Sequence, residues 1–168
     1  DVRVPLPLSA LVLGTKCGGS DGFSGLTANP LVGAVAERVT AAGGVALLSE
    51  VPEMFGAEAS LLARAVSPRV HADVVRLVDD FKRYFRAHAQ PIHENPSPGN
   101  KDGGITTLEE KSLGATQKGG RAPVTQVVAY GDAVRTDAEV RGGLALVEAP
   151  GNDAVSTTAL TAAGATLI

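Results

Sequence analysis

Tryptophan is absent from this 168-residue chain, cysteine occurs once, and the aromatics are four phenylalanines and two tyrosines. A single cysteine, Cys17, excludes an internal disulfide and fits a reducing compartment. No apolar run approaches the roughly 20 residues of a membrane helix, and no signal-peptide pattern is visible. A cytoplasmic setting is therefore expected. Positive charge is not in excess either: 15 Lys and Arg stand against 18 Asp and Glu, a net charge of −3. That removes the electrostatic footprint of a nucleic-acid binder. With so few aromatics, the core must come from Ala, Val and Leu, which favours tightly packed α/β layers over an aromatic-rich binding module.

What is present is an alternation of short apolar runs with helical periodicity. Ala10–Gly14, Val45–Ser49, Val124–Tyr130 and Gly143–Val147 read as strands, and Ala165–Ile168 as a last one. Between them, helices are predicted over Asn29–Ala42, Ala57–Ala65, Arg69–Ala87, Ile105 to about Gln117, and Asp153–Ala163. Val70, Val74, Leu77, Val78, Phe81 and Phe85 form an apolar stripe on the third of these, a core-packing pattern. Pro91–Gly104 reads as a polar loop and Gly131–Arg141 as a charged surface excursion. The expected fold is a single α/β domain, a Rossmann-like three-layer arrangement with a mainly parallel sheet flanked by helices. In such sheets ligands bind beyond the carboxyl ends of the strands. Thr15–Gly25, Glu50–Glu53 and Glu148–Asp153 leave those ends, so they should share one rim, within reach of Asn95–Lys101.

The densest signal for chemistry is Leu13-Gly14-Thr15-Lys16-Cys17-Gly18-Gly19-Ser20-Asp21-Gly22-Phe23-Ser24-Gly25. A strand, a glycine-rich polar loop and a helix start in that order present backbone N–H groups to an anion. The spacing matches neither the dinucleotide fingerprint nor the phosphate loop. Cys17 reads as a nucleophile, a soft metal ligand or a small loop residue. Glu50 and Glu53 suit a hard divalent cation, a general base or the capping of the next helix. Lys101 and Lys111 could pair with a substrate carboxylate, and His93 abuts the polar loop. No paired-cysteine or H-x-x-E-H pattern marks a structural zinc site. The residues alone describe an α/β domain with a small-anion site.

Longer motifs then become recognisable. Cys17-Gly-Gly-Ser-Asp-Gly-Phe-Ser-Gly25 with Thr27-Ala28-Asn29-Pro30 resembles the altronate and galactarate dehydratase family. So do Ser49-Glu50-Val51-Pro52-Glu53, Asn95-Pro96-Ser97-Pro98-Gly99-Asn100-Lys101 with Gly103-Gly104, Glu110-Lys111-Ser112-Leu113-Gly114, and Ala149-Pro150-Gly151 with Val155-Ser156. The Asn-Pro-Ser-Pro-Gly-Asn-Lys and Ser-Leu-Gly wording is closer to the altronate branch. The resemblance implies a longer enzyme, with a β-rich N-terminal domain ahead of residues 1–168 and a Thr-Thr-Gly-Arg-Gly segment beyond them. It also implies a hydro-lyase that removes water from a 2,3-dihydroxy sugar acid to give a 2-keto-3-deoxy acid.

Proton removal next to a carboxylate builds a dianionic enediolate that needs strong electrostatic stabilisation. A divalent metal, iron(II) in this family with manganese(II) the other option, would supply it. For that chemistry Glu50, Lys101 and Asp21 are expected to be catalytic. Gly18, Gly19, Ser20, Ser24, Asn29, Asn95, Asn100, Lys111 and Ser156 are expected to bind substrate, and Cys17 and Glu53 to ligate metal. The partner is a small sugar acid, with no nucleic acid and no membrane, and the assembly a homo-oligomer. Three other readings remain: the sulfolactate sulfo-lyase subunit of the same family, a purely structural oligomerisation core, and a non-catalytic anion- or nucleotide-binding module. An acid about 20 residues beyond the glycine loop would mark the last, and Glu50 fits that spacing poorly.

Overall fold

A computed structural model describes residues 3–168. Four strands, β1 (Val12–Thr15), β2 (Val45–Leu48), β3 (Val124–Val128) and β4 (Leu144–Val147), pair in the order β1-β2-β4-β3. Every pairing is parallel. Six helices accompany them: α1 (Ala28–Ala41), α2 (Glu58–Leu62), α3 (Pro68–Ala87), α4 (Pro98–Asp102), α5 (Leu108–Thr116) and α6 (Asp153–Ala162). Because side chains alternate along a strand, each strand serves two cores. Leu13, Ala46, Leu48, Leu144 and Leu146 pack with Ala36 and Val39 of α1 and with Val70, Val74, Leu77 and Val78 of α3. Val12, Val45, Leu47, Ala145 and Val147 face the other way, against Ala159 and Leu160 of α6. The result is the expected three-layer, Rossmann-like α/β arrangement. No helix among the described residues is long and apolar enough to cross a membrane.

Element boundaries depart from the sequence reading where local hydrogen bonds intervene. A 3-10 turn at Leu8–Ala10 takes up Ala10, so the first strand starts at Val12. β3 ends at Val128; the Tyr130 N–H donates instead to Glu148 Oε2 at 3.2 Å. Ala165–Ile168 contributes one parallel bridge, Leu13 to Leu167, at the free edge of β1 rather than a full strand. The polar loop contains α4, because Ser97 caps it by accepting from the Asn100 N–H and Pro98 occupies its first turn. Likewise Thr107 caps α5 by accepting from the Glu110 N–H, delaying that helix to Leu108. It then tightens into a 3-10 turn at Gln117–Gly119.

This last turn lies against α1 with no room to spare. A Cβ on Gly33 would stand 2.2 Å from the Gln117 carbonyl oxygen and 3.1 Å from Gly120. We therefore expect Gly33→Ala to destabilise the protein by about 1–3 kcal/mol, the usual scale of overpacking against rigid backbone. Gly99→Ala in α4, where a Cβ meets nothing within 4 Å, should be neutral or stabilising. Thermal unfolding of the two variants reads the difference; equal melting temperatures would contradict the packing described.

Candidate active site

Hydrogen bonds join the segments that leave the carboxyl ends of the strands. The Val51 N–H donates to the Ala149 carbonyl at 2.9 Å, and Ser49 Oγ and Ser156 Oγ are 2.7 Å apart. Lys16 pairs with Asp153 across the same rim. Asn100 Nδ2 donates to the Ser20 carbonyl at 3.0 Å, and Asn95 Nδ2 to the Pro52 carbonyl at 3.5 Å. Residues 15–25, 50–53, 95–101 and 148–156 therefore gather at one end of the sheet.

Beneath that rim lie two lysine–carboxylate pairs. Glu50, only 1% exposed, follows β2 with φ 69 and ψ 54, one of two non-glycine residues with positive φ among those described. Its Oε2 accepts from the Cys17 N–H at 2.7 Å and from Lys118 Nζ at 3.0 Å. Oε1 is buried without a partner. Burial pushes the Glu50 carboxyl above its ordinary value, and Glu53 adds to the rise, while Lys118 works against it. In the second pair, Lys111 Nζ sits 2.8 Å from Glu53 Oε2, an ion pair not directed along a hydrogen-bond axis. The same ammonium reaches Ser20 Oγ at 3.1 Å and Cys17 Sγ at 3.5 Å. Burial alone would lower the Lys111 pKa; the Glu53 carboxylate and the Cys17 sulfur outweigh it and hold the ammonium above its ordinary range.

Lys111 also opens onto a cleft of roughly 290 Å³, lined with Ser20, Asp21, Ser24, Asn29, Gly114 and Gln117 among others. Five residues singled out from sequence thus meet there: Ser20, Asp21, Ser24, Asn29 and Lys111. Within it, Asp21 is spent on its own loop. Its Oδ1 accepts from the Phe23 and Ser24 N–H groups, both at 2.9 Å, and from Ser24 Oγ at 3.0 Å. The Ser24 hydroxyl and these amides hold Asp21 below the usual carboxylate range. Gly19 donates to Cys17 Sγ at 3.3 Å, whereas Gly18 is exposed.

Other expected residues stand further off. Ser156 is fully buried on Ser49, Asn100 is buried under Ser20, and Asn95 is half-buried. Lys101 is exposed on α4, with no polar contact to the two pairs, and His93 is exposed as well. A larger hollow of about 630 Å³ between α3 and β3 holds Arg69, Asp73 and Arg135 but none of the gathered residues. Lys118 escaped the sequence reading. The only signal for it was a lysine set beside Gly119-Gly120, in a turn too tight to leave a long side chain free.

The expected metal would have to find its donors in this set. Among the described residues no three His, Cys, Asp or Glu side chains lie close enough to hold an ion. Glu50 and Glu53 are moreover each matched by a lysine. The residues present do not by themselves form a metal centre.

The chain is similar to known proteins along its length. Residues 8–168 match the family model described as D-galactarate/Altronate dehydratase, C-terminal. Over all 168 residues the chain is 55% identical to the altronate dehydratase of Bacillus subtilis (strain 168) and 54% identical to that of Escherichia coli (strain K12), covering 33% of each. It is 35% identical over 165 residues to the galactarate dehydratase (L-threo-forming) of Escherichia coli (strain K12), covering 98% of this chain and 31% of that protein. The chain spans about a third of the length of the curated relatives it matches.

The buried Glu50–Lys118 pair yields a pH-dependent prediction. Lys118→Met should cost about 3–5 kcal/mol near neutral pH, because it strands a buried carboxylate. Glu50 already has a raised folded pKa, and losing the ammonium raises it further. A raised folded pKa gives stability that is present below the unfolded value and lost as pH rises through the folded one. The deficit of the variant should therefore shrink as pH falls toward the ordinary glutamate value of 4.5. Urea unfolding of both proteins at several pH values tests this; a deficit independent of pH would contradict it.

Proposed function

The chain belongs to the D-galactarate/altronate dehydratase family, and on that footing we propose that it carries the substrate-binding and proton-transfer residues of a sugar-acid dehydratase. The observation that supports this reading is the convergence of Glu50, Glu53, Lys111, Cys17 and Ser20 beside a cleft of sugar-acid size. In the proposal the substrate is an altronate-like 2,3-dihydroxy acid. The product is a 2-keto-3-deoxy acid.

The substrate carboxylate binds at Lys111 and the Ser20 hydroxyl. A fixed ammonium there stabilises the second negative charge that develops when C2 loses its proton. Glu50 Oε1 takes that proton once the bound substrate displaces Gly18 and Gly19 at the tip of the loop, and the C2–H electron pair passes into the enediolate. Its collapse expels the C3 hydroxyl, which leaves as water with the returned proton, and the enol tautomerises to the ketone. A carboxyl with a raised pKa suits this task, because a base works best when its pKa approaches the operating pH.

Asn29 and Ser24 read sugar hydroxyls from the cleft wall, with Gly18 and Gly19 supplying loop N–H groups. Asp21 keeps the loop in shape, and Asn95, Asn100 and Ser156 hold the rim. Lys101 meets the far end of the substrate. The cytoplasmic, homo-oligomeric setting belongs to the same proposal, as does a place for residues 1–168 as one domain of a longer enzyme. A divalent cation, iron(II) or manganese(II), is a separate proposal: Cys17 and Glu53 would be its donors from this chain, and it would need further ligands beyond the described residues. Metal analysis of protein purified without oxygen should find one equivalent, and its absence removes the cation.

In the full-length protein, Glu50→Gln should lower turnover of altronate at least ~100-fold, the low end of general acid–base effects. The acid limb of kcat against pH should lie above 4.5, the ordinary glutamate value. Assays follow the 2-keto acid formed, with sulfolactate and sulfite release as the comparison reaction. Near-normal turnover by Glu50→Gln, or sulfite release in place of keto-acid formation, would overturn the proposal.

A further inference from the structure

Lys118 lies outside every motif that carried the functional reading, yet its ammonium is aimed at the centre of the site. It is 3% exposed, and Glu50 Oε2 is the one side-chain acceptor it meets among the described residues. Its position is fixed from below. The turn that bears it packs on Gly33 of α1, and a Cβ at the following Gly119 would fall 2.7 Å from Leu144 Cδ2. The side chain therefore approaches Glu50 from a rigid base.

The hydrogen bonding of Glu50 is lopsided. An ionised carboxylate offers about four lone-pair positions shared by two oxygens. Here both donors, the Cys17 N–H at 2.7 Å and Lys118 Nζ at 3.0 Å, fall on Oε2. Oε1 is buried and bare. Buried polar atoms without partners are rare enough that each calls for a reason. The αL backbone of Glu50 is a second uncommon feature at this residue, and such outliers cluster at functional sites. Lys111 does something different: it pairs with Glu53 but also reaches Ser20 and lines the cleft.

We propose that Lys118 is a positioning residue for proton transfer: by holding Glu50 Oε2 it fixes the carboxylate so that Oε1 is the oxygen that receives the substrate proton. This rests on the dehydratase reading of the site. Lys118 itself touches no substrate. The Cys17 N–H completes the restraint from the glycine-rich loop, so the seating of that loop and the aim of the base are linked through one oxygen.

The test uses the full-length protein and altronate. Lys118→Met should lower kcat about 100-fold, the scale of a misplaced catalytic group, with KM within about twofold. Lys118→Cys should be similarly slow and regain most of its kcat after aminoethylation, which restores an ammonium at lysine length. Wild type treated in parallel controls for alkylation of Cys17. If Lys118→Met does not fold, Lys118→Arg, which keeps the charge but moves it, replaces it with the same expected result. An unchanged kcat, or a rise in KM that accounts for the loss, overturns the proposal. A crystal structure of the variant supplies a readout independent of turnover. Glu50 should leave the Cys17 N–H, and a carboxylate still in place overturns the positioning role even if the wild type proves inactive on altronate, a result that would overturn the dehydratase reading instead.

Discussion

The ion pair between Glu50 and Lys118, closed from solvent at the end of β2, is the contact on which the rest of the site depends. Three separate stretches of chain meet in it. Glu50 follows a strand flanked by β1 and β4, Lys118 sits on the turn after α5, and the Cys17 N–H arrives from the loop after β1. Removing two charges from water is costly, and a well-packed apolar replacement is often at least as stable. The pair therefore makes little sense as a stability device. As a fixed reference for the glycine-rich loop, with one carboxylate oxygen left bare, it has a purpose.

In front of it stands the Glu53–Lys111 pair, which faces the cleft through Lys111 and Ser20. In the proposed β-elimination the two tiers would divide the work. The front ammonium would meet the charge that accumulates on the substrate, and the rear carboxylate is held on one oxygen with the other left bare. Preorganisation of this kind needs no reorientation during the reaction, which is what makes electrostatic stabilisation effective in an enclosed site. Asp21 contributes at one remove, because its carboxylate ties the Phe23 and Ser24 amides and so shapes the cleft wall.

The layered fold could be read from the sequence because strand and helix periods are local. Val45–Leu48 is uniformly apolar because it is covered on both faces, and the stripe on α3 lies where its 3.6-residue spacing placed it. The shared rim followed from strand order alone. Side-chain partnership was far less legible. Lys101 sits in the densest polar loop but points to water, whereas Lys118, in an unremarked turn, is almost wholly buried. Nothing in the local pattern distinguishes them; the difference comes from Gly33, 85 positions away from Lys118 by residue number (118 − 33), which admits the turn against α1. Glu50 was expected to be catalytic from its place just past a strand, but its burial and αL backbone have no local signal in the sequence.

The most direct measurement of the central claim is a crystal structure of the full-length protein with an unreactive sugar acid bound. The account predicts the ligand carboxylate on Lys111 Nζ and Ser20 Oγ, Gly18 and Gly19 displaced at the tip of the loop, and C2 within reach of Glu50 Oε1. A ligand seated instead in the hollow between α3 and β3, with Glu50 still closed off, would contradict it.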